Sequence, residues 1–113
     1  MATVSFVGDL SGQTDGEAVS VVETSTAGDT LHTYSAAGAD ILKIWCVNTG
    51  TAAVKLTLEW GDATTTNNVE LTIPPEDGPV LVVDRRVLGA GTVKAFAGTT
   101  AVLACWGEVW NAA

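Results

Sequence analysis

Basic residues are scarce in this chain. Of its 113 residues only five are Lys or Arg, whereas thirteen are Asp or Glu, and the net charge is −8. Proteins that bind nucleic acid or an anionic membrane surface need clustered Lys and Arg to neutralise phosphate groups. We therefore expect neither nucleic acid nor a membrane among the partners of this protein.

Long apolar runs and helical periodicity are also missing. No segment approaches the ~20 apolar residues of a membrane-spanning helix. The stretch MATVSFVGDL has neither the basic n-region nor the long apolar h-region of a secretory signal, so we expect a chain that is used without secretion by its own signal. Apolar residues do not recur with the period of 3.6 that marks an amphipathic helix, which argues against a mainly helical fold.

Residue types that carry chemistry are few. His32 is the one histidine, and no serine lies in the Gly-x-Ser-x-Gly motif of a nucleophile turn. Zinc sites need closely spaced pairs of ligands, which one His and two separated Cys do not supply. The sequence therefore predicts no metal, no cofactor and no enzymatic activity, and a small hydrolase built around His32 is the weakest alternative.

Two cysteines, Cys46 and Cys105, lie in apolar segments far apart in the sequence. One interpretation makes them buried thiols that pack as small hydrophobic residues. The other pairs them across two strands in a disulfide, which would require their Cα atoms to approach within bonding range. In a reducing compartment we expect thiols.

The clearest positive signal is a period-2 pattern between Ile41 and Trp60. Val54, Leu56, Leu58 and Trp60 alternate with Lys55, Thr57 and Glu59, as in a strand with one buried and one exposed face. The preceding run Ile41–Val47 is apolar on both faces, which is typical of a strand covered on two sides. The turn-forming residues 48–51 between them predict that the two strands pair as the central antiparallel hairpin of the fold.

Similar short segments rich in β-branched residues recur along the chain, separated by turn residues about every ten positions. We predict an all-β, single-domain protein spanning residues 1–113, an antiparallel β-sandwich of jelly-roll type with about eight strands. Residues 1–40 are less tightly patterned than the rest, with expected strands at 3–7, 18–24 and 30–35. The expected strands after Trp60 are 69–73, 80–83, 92–97 and 101–110, with a stiff corner at 74–79, a turn at 87–91 and a final hairpin through 98–100.

The last predicted strand places two large aromatic residues on one face. Alternation puts Leu103, Cys105 and Val109 on one side and Trp106, Glu108 and Trp110 on the other. Aromatic residues are enriched at the centres of protein interfaces, so the face with Trp106, Glu108 and Trp110 is a candidate partner-binding surface. Alternatively, Trp106 simply covers the second side of a central strand. Arg85 and Arg86, the two arginines of the chain, are the next candidates for partner binding.

Three segments carry a family resemblance: KIWCVNTGTAAVKLTLEWG, IPPEDGPVLVV and VKAFAGTTAVLACWGEVW. Together they resemble small structural proteins encoded among the head and tail genes of tailed bacteriophages, over roughly residues 41–110. The resemblance implies a virion protein made in the host cytoplasm, such as a capsid decoration (cement) protein. It implies as partners further copies of the chain, a trimer being one arrangement, and the major capsid protein or another virion protein.

Two further functions remain open alongside a decoration protein. A fibre-base or tail component would fit the same resemblance. A carbohydrate-binding sandwich would instead use Trp60, Trp106 or Trp110 to stack on sugar rings beside polar loops.

Overall fold

The computed structural model describes residues 3–75 and 78–113 and consists of nine strands with one short 3₁₀ turn, Thr65–Asn67. The strands pair in two antiparallel sheets, which confirms the all-β sandwich. In chain order they are β1 (Val4–Asp9), β2 (Val19–Val21), β3 (Asp29–Thr33), β4 (Ala39–Asn48), β5 (Val54–Gly61), β6 (Val69–Ile73), β7 (Val80–Leu88), β8 (Thr92–Ala97) and β9 (Leu103–Ala112).

The strand order is that of a jelly roll. The first sheet runs β1-β9-β4-β7, with β2 also pairing with β9, and the second runs β3-β8-β5-β6. Around the β5–β6 pair, β4 pairs with β7, β3 with β8 and β2 with β9, so the chain folds as one long hairpin wound over itself. The predicted jelly-roll sandwich is therefore confirmed.

The predicted central hairpin is wrong. Strands β4 and β5 lie in different sheets, and the segment between them crosses from one sheet to the other. The side chain of Asn48 shapes this corner: its Oδ1 accepts a hydrogen bond from the Gly50 amide at 2.9 Å, and its Nδ2 donates to the Ala52 and Ile73 carbonyls at 2.8 and 3.1 Å. The hairpin predicted through residues 98–100 is wrong for the same reason, since β8 and β9 also lie in different sheets.

The core lies between the two sheets. Val54, Leu56, Leu58 and Trp60 all point into it, as their alternation predicted. From the first sheet, the alternate residues of β4 and β9 pack against them. These are Leu42, Ile44 and Cys46 on β4, and Leu103, Cys105 and Val109 on β9. The predicted assignment of the two faces of β9 is thereby confirmed.

The outward face of β5 is not exposed as expected, because Thr57 and Glu59 are buried. The segment that follows β2 lies over this side of the second sheet. Both carboxylate oxygens of Glu59 accept hydrogen bonds from it, one from the Thr26 hydroxyl at 2.9 Å and one from the Gly28 amide at 2.8 Å. Alternation placed Glu59 on the correct face but could not show that a distant segment covers it.

Strands β7 and β2 differ most in length from the expected strands. Strand β7 continues through Arg85 to Leu88, because Arg85 adopts a positive φ of 61° in a bulge and pairing with β4 resumes on either side. Strand β2 is shorter than the predicted 18–24, since the amides of Val22 and Glu23 bind the Asp29 carboxylate instead of a neighbouring strand. Of the predicted corner at 74–79, Glu76 and Asp77 lie outside the described residues.

Within the described ranges no helix has the length and apolarity that crossing a membrane would require.

Candidate functional site

The side of the first sheet that faces away from the second carries most of the side chains predicted to bind a partner. We call this surface the outer face. Strand pairing arranges it in rows that run across the sheet, because residues directly opposite each other on antiparallel strands project to the same side. Its residues are Val4, Phe6 and Asp9 of β1, Trp106, Glu108 and Trp110 of β9, Ile41, Lys43 and Trp45 of β4, and Leu81, Asp84 and Val87 of β7.

The first row is apolar. Phe6 lies opposite Trp110, Trp110 opposite Ile41, and Ile41 opposite Val87. The rings of Phe6 and Trp110 meet edge to face, with their centroids 5.4 Å apart and their planes inclined at 68°. Edge-to-face contacts are a favoured geometry for aromatic pairs, so this row has a defined shape.

A second apolar row lies further along the same strands. Trp106 lies opposite Trp45, and Trp45 lies opposite Leu81. Each of the two indoles is partly buried by its neighbours. Three of the four tryptophans of the chain thus lie on the outer face.

Between the apolar rows lies a charged row. Glu108 is opposite Lys43, which is in turn opposite Asp84, and Asp9 is opposite Glu108 on the other side. The Lys43 ammonium lies over the ring of Trp45, 5.2 Å from its centroid. Among the described residues no carboxylate lies within 4.0 Å of Lys43, although it has acidic residues opposite it on both sides.

Several apolar side chains on the outer face are left open to water. The exposed fractions are 62% for Phe6, 55% for Val87 and 43% for Leu81. Contiguous apolar surface of this kind is uncommon on monomeric soluble proteins unless it binds something. The outer face is therefore the strongest candidate for a binding surface in the described structure.

Four of the five predicted partner-binding residues come together here. Trp106, Glu108 and Trp110 point outward from β9, and Arg85 lines a shallow depression with Ile41, Lys43, Trp110 and Val4. Arg85 also donates a hydrogen bond to Asp84 at 3.2 Å. The bulge in β7 is what brings Arg85 to the same depression as Trp110 of β9.

Arg86 lies apart from the other four. Its guanidinium lies over the ring of Trp60, 4.7 Å from the centroid, and donates to the Asn67 carbonyl at 3.2 Å. Trp60 itself is buried and donates from Nε1 to the Val87 carbonyl at 2.9 Å. Arg86 thus packs within the fold, and Trp60 does not present a ring for stacking on a sugar.

His32 takes part in a buried polar network. Its Nδ1 accepts a hydrogen bond from the Ser11 amide at 3.0 Å, so the ring proton is on Nε2, which contacts the Asp40 carboxylate at 2.8 Å. Asp40 also accepts hydrogen bonds from Ser35 and Asn111. Neither ring nitrogen is directed at a hydroxyl, so the arrangement holds loops together and does not activate a nucleophile.

The two cysteines lie directly opposite each other on β4 and β9, both buried and both free thiols. A hydrogen bond with Cys46, together with burial, raises the pKa of the Cys105 thiol well above its ordinary value. A protonated thiol in the core is a poor nucleophile. No group of three or more His, Cys, Asp or Glu side chains in the described ranges is placed to hold a metal ion.

Sequence reasoning missed the contribution of the neighbouring strands to the outer face. Lys43 and Trp45 were part of a run predicted to be covered on both sides, whereas one side of that run is the middle of the outer face. Lys43, the one charged residue of that run, was the available signal that its side is not covered. The strand order, which places β4 between β9 and β7, was not readable from the pattern.

Comparisons with protein-family models, with curated proteins and with solved structures each give no match for this chain.

Proposed function

We propose that this protein is a structural virion protein of a tailed bacteriophage, a capsid decoration protein that assembles on the particle as a symmetric oligomer. Its association surface is the outer face. The observation that carries the proposal is the pair of apolar rows, each with exposed side chains, and the charged row between them on the outer face of the first sheet. The sequence resemblance to small virion proteins supplies the biological setting, with synthesis in the host cytoplasm and a final location in the virion.

A protein partner suits this surface for energetic reasons. Tryptophan is enriched among the few interface residues that contribute most of the binding energy when they lose water on docking. Burying most of one such side chain contributes ~1.5–3 kcal/mol. The charged row adds little net affinity but penalises wrong partners and wrong registers.

The rigidity of the surface also favours a structural role. The outer face is built on regular strands, and β4, at its middle, is hydrogen-bonded on both sides. A partner therefore meets a preformed surface and little entropy is lost in ordering it. An assembly built of many copies gains from this at every repeated contact.

Substitution of Trp110 tests the proposal. Trp110 lies near the end of β9 and outside the core, so Trp110→Ala should stay folded. Its binding to particles stripped of the protein, or its self-association, should weaken roughly tenfold to a hundredfold, since each ~1.4 kcal/mol is a factor of ten. Trp106→Ala should have a similar effect.

Leu71→Ala is the matched control, because Leu71 is an exposed apolar residue on the second sheet. Sedimentation and a particle-binding assay would measure all three variants, with circular dichroism to verify folding. Unchanged association in both tryptophan variants would exclude the outer face. A loss of association in Leu71→Ala equal to that in Trp110→Ala would place the surface elsewhere.

A fibre-base or tail protein would use the same surface on a different part of the virion. Electron microscopy of the native particle would distinguish the positions.

A carbohydrate-binding function is a second candidate, favoured by one depression of the outer face. Trp45 and Trp106 line it together with Glu108, Asp9 and Pro79. Indole rings beside carboxylates can stack on a sugar and bind its hydroxyls. Binding on a glycan array that is lost in Trp106→Ala would favour this function over assembly.

A further inference from the structure

The charged row restricts how the outer face can meet another copy of itself. We propose that it docks on the same face of a second copy, around a two-fold axis that runs parallel to the strands and between β4 and β9. This inference rests on the proposed role of the outer face in association. The proposed partner is a second copy of the chain, and the two-fold axis defines the geometry of the contact.

The register between β4 and β9 determines which residues would meet. Residues directly opposite each other on the two strands exchange places under such an axis, because it carries β9 of one copy onto β4 of the other. Glu108 then faces Lys43 of the second copy, and Lys43 faces its Glu108. By the same operation Trp106 faces Trp45, and Trp110 faces Ile41. On the edge strands, Asp9 of β1 faces Asp84 of β7 of the second copy, a like-charged pair at the margin of the contact.

Other two-fold arrangements bring like charges together at the centre of the contact. An axis across the strands at the charged row sets Lys43 over Lys43 and Glu108 over Glu108. An axis along β4 itself also sets Lys43 over Lys43. Like charges at the desolvated centre of an interface are strongly unfavourable, so these arrangements are disfavoured. The Asp9–Asp84 pair of the proposed axis lies on the edge strands, where both side chains are exposed and water screens their charges.

An axis between β4 and β7 is the remaining competitor, since it pairs Lys43 with Asp84 of the second copy. It would leave Trp106 and Trp110 beyond the edge of the opposing sheet, and the largest apolar side chains would gain no cover. Asp84 is also already hydrogen-bonded to Arg85. The axis between β4 and β9 covers all three outer tryptophans.

The unpaired state of Lys43 within one copy favours the contact. No carboxylate of the described residues lies within salt-bridge distance of it, although Glu108 is its direct neighbour on β9. A second copy would supply a carboxylate from above while the apolar rows exclude water. An ion pair of this kind fixes register and partner choice more than affinity.

The size of the outer face is sufficient for such a dimer. Four strands spaced ~4.8 Å apart and rising ~3.4 Å per residue cover a flat area of about 600 Å² along a strand of the length of β4. Projecting side chains increase the accessible area above this value. Stable interfaces bury ~800 Å² per partner, so the outer face is of the right order.

Charge reversal with mixing tests the geometry. In Lys43→Glu alone, two acidic residues face each other at both symmetry-related contacts, and in Glu108→Lys alone two basic residues do. Each variant should therefore self-associate at least about tenfold more weakly than the wild-type protein. An equimolar mixture of the two variants restores opposite charges at both contacts, and it should form a heterodimer with an affinity close to that of the wild-type dimer.

The mixture separates the contact between copies from effects within one chain, because mixing does not change either chain. Sedimentation equilibrium would give the masses and affinities, with circular dichroism to verify folding. Asp84→Lys is the control: it should not weaken the dimer under the proposed axis, whereas the β4–β7 axis predicts that it does. If a charge-reversed variant fails to fold, Lys43→Cys mixed with Glu108→Cys should form an intermolecular disulfide faster than either variant alone.

Three results would overturn the inference: a wild-type protein that stays monomeric, a trimer, or a mixture that associates no better than its components. If the mixture fails but Trp110→Ala still loses particle binding, the outer face contacts another virion protein, and the proposed function stands without the dimer.

Discussion

Asp40 shows how one buried carboxylate holds several loops. Burial alone would raise its pKa, but hydrogen bonds from His32, Ser35 and Asn111 outweigh burial and lower the pKa below its ordinary value of 3.8. The residues it joins come from β3, the segment after it and the end of β9. A change of charge at this one position therefore acts on contacts across the fold.

The stability that Asp40 contributes should be lost in acid. Because its pKa is lower in the folded than in the unfolded chain, this contribution is complete above about pH 4 and disappears as the pH falls through the folded value. Asp40→Asn should therefore destabilise the protein at neutral pH and differ less from the wild type at about pH 3. Urea midpoints at both pH values would measure this, and an equal difference at the two would contradict the account.

At the scale of the strand, β4 shows what sequence could and could not predict. The apolar run from Ile41 to Val47 correctly predicted a strand, but one of the two sides expected to be covered is part of the outer face. It could not identify the neighbours, because a period of 2 describes the faces of a strand and not its hydrogen-bonding edges. The residues after it were read as a hairpin turn, whereas Asn48 uses its side chain to turn the chain into the other sheet.

The candidate site was likewise only partly predictable, because a period-2 pattern does not show which strands pair. Trp106, Glu108 and Trp110 were predictable as one face, because they belong to one strand. Phe6, Trp45 and Leu81 join them only through pairing between strands distant in the sequence. Arg85 joins through a bulge with a positive φ, for which an arginine gives no sequence signal.

Gly107 permits the close approach of β4 and β9, the two central strands of the outer face. A Cβ atom at this position would lie 2.2 Å from the backbone oxygen of Lys43. Backbone atoms of a central strand cannot move away easily, so Gly107→Ala should destabilise the domain by ~1–3 kcal/mol or more. Thermal unfolding would measure it.

Gly89→Ala is the control, since nothing lies within 4 Å of a Cβ atom there. It should change stability by less than ~0.5 kcal/mol. Similar losses in the two variants would mean that the approach of β4 to β9 is not the reason for glycine at position 107.

On the scale of the whole molecule, the net charge of −8 opposes association between copies, whereas burial of the apolar rows of the outer face favours it. Repulsion between like-charged copies keeps an acidic protein soluble. Added salt screens this repulsion, so association should be stronger at higher salt, as long as the apolar rows dominate the contact. The alternating charges of Glu108, Lys43 and Asp84 restrict the partner surfaces that the outer face can bind. The second sheet carries no comparable set of rows in the part of the chain described.

Hydroxyl-radical footprinting of the protein, free and in its assembled form, would show which surface is covered on association. We expect Phe6, Trp45, Trp106 and Trp110 to become protected from oxidation on assembly, whereas the exposed Leu71 of the second sheet stays unprotected. Dilution below the dissociation constant should return all four to the oxidation rate of the free chain. Protection of Leu71 with no change at the three tryptophans would contradict the assignment of the outer face.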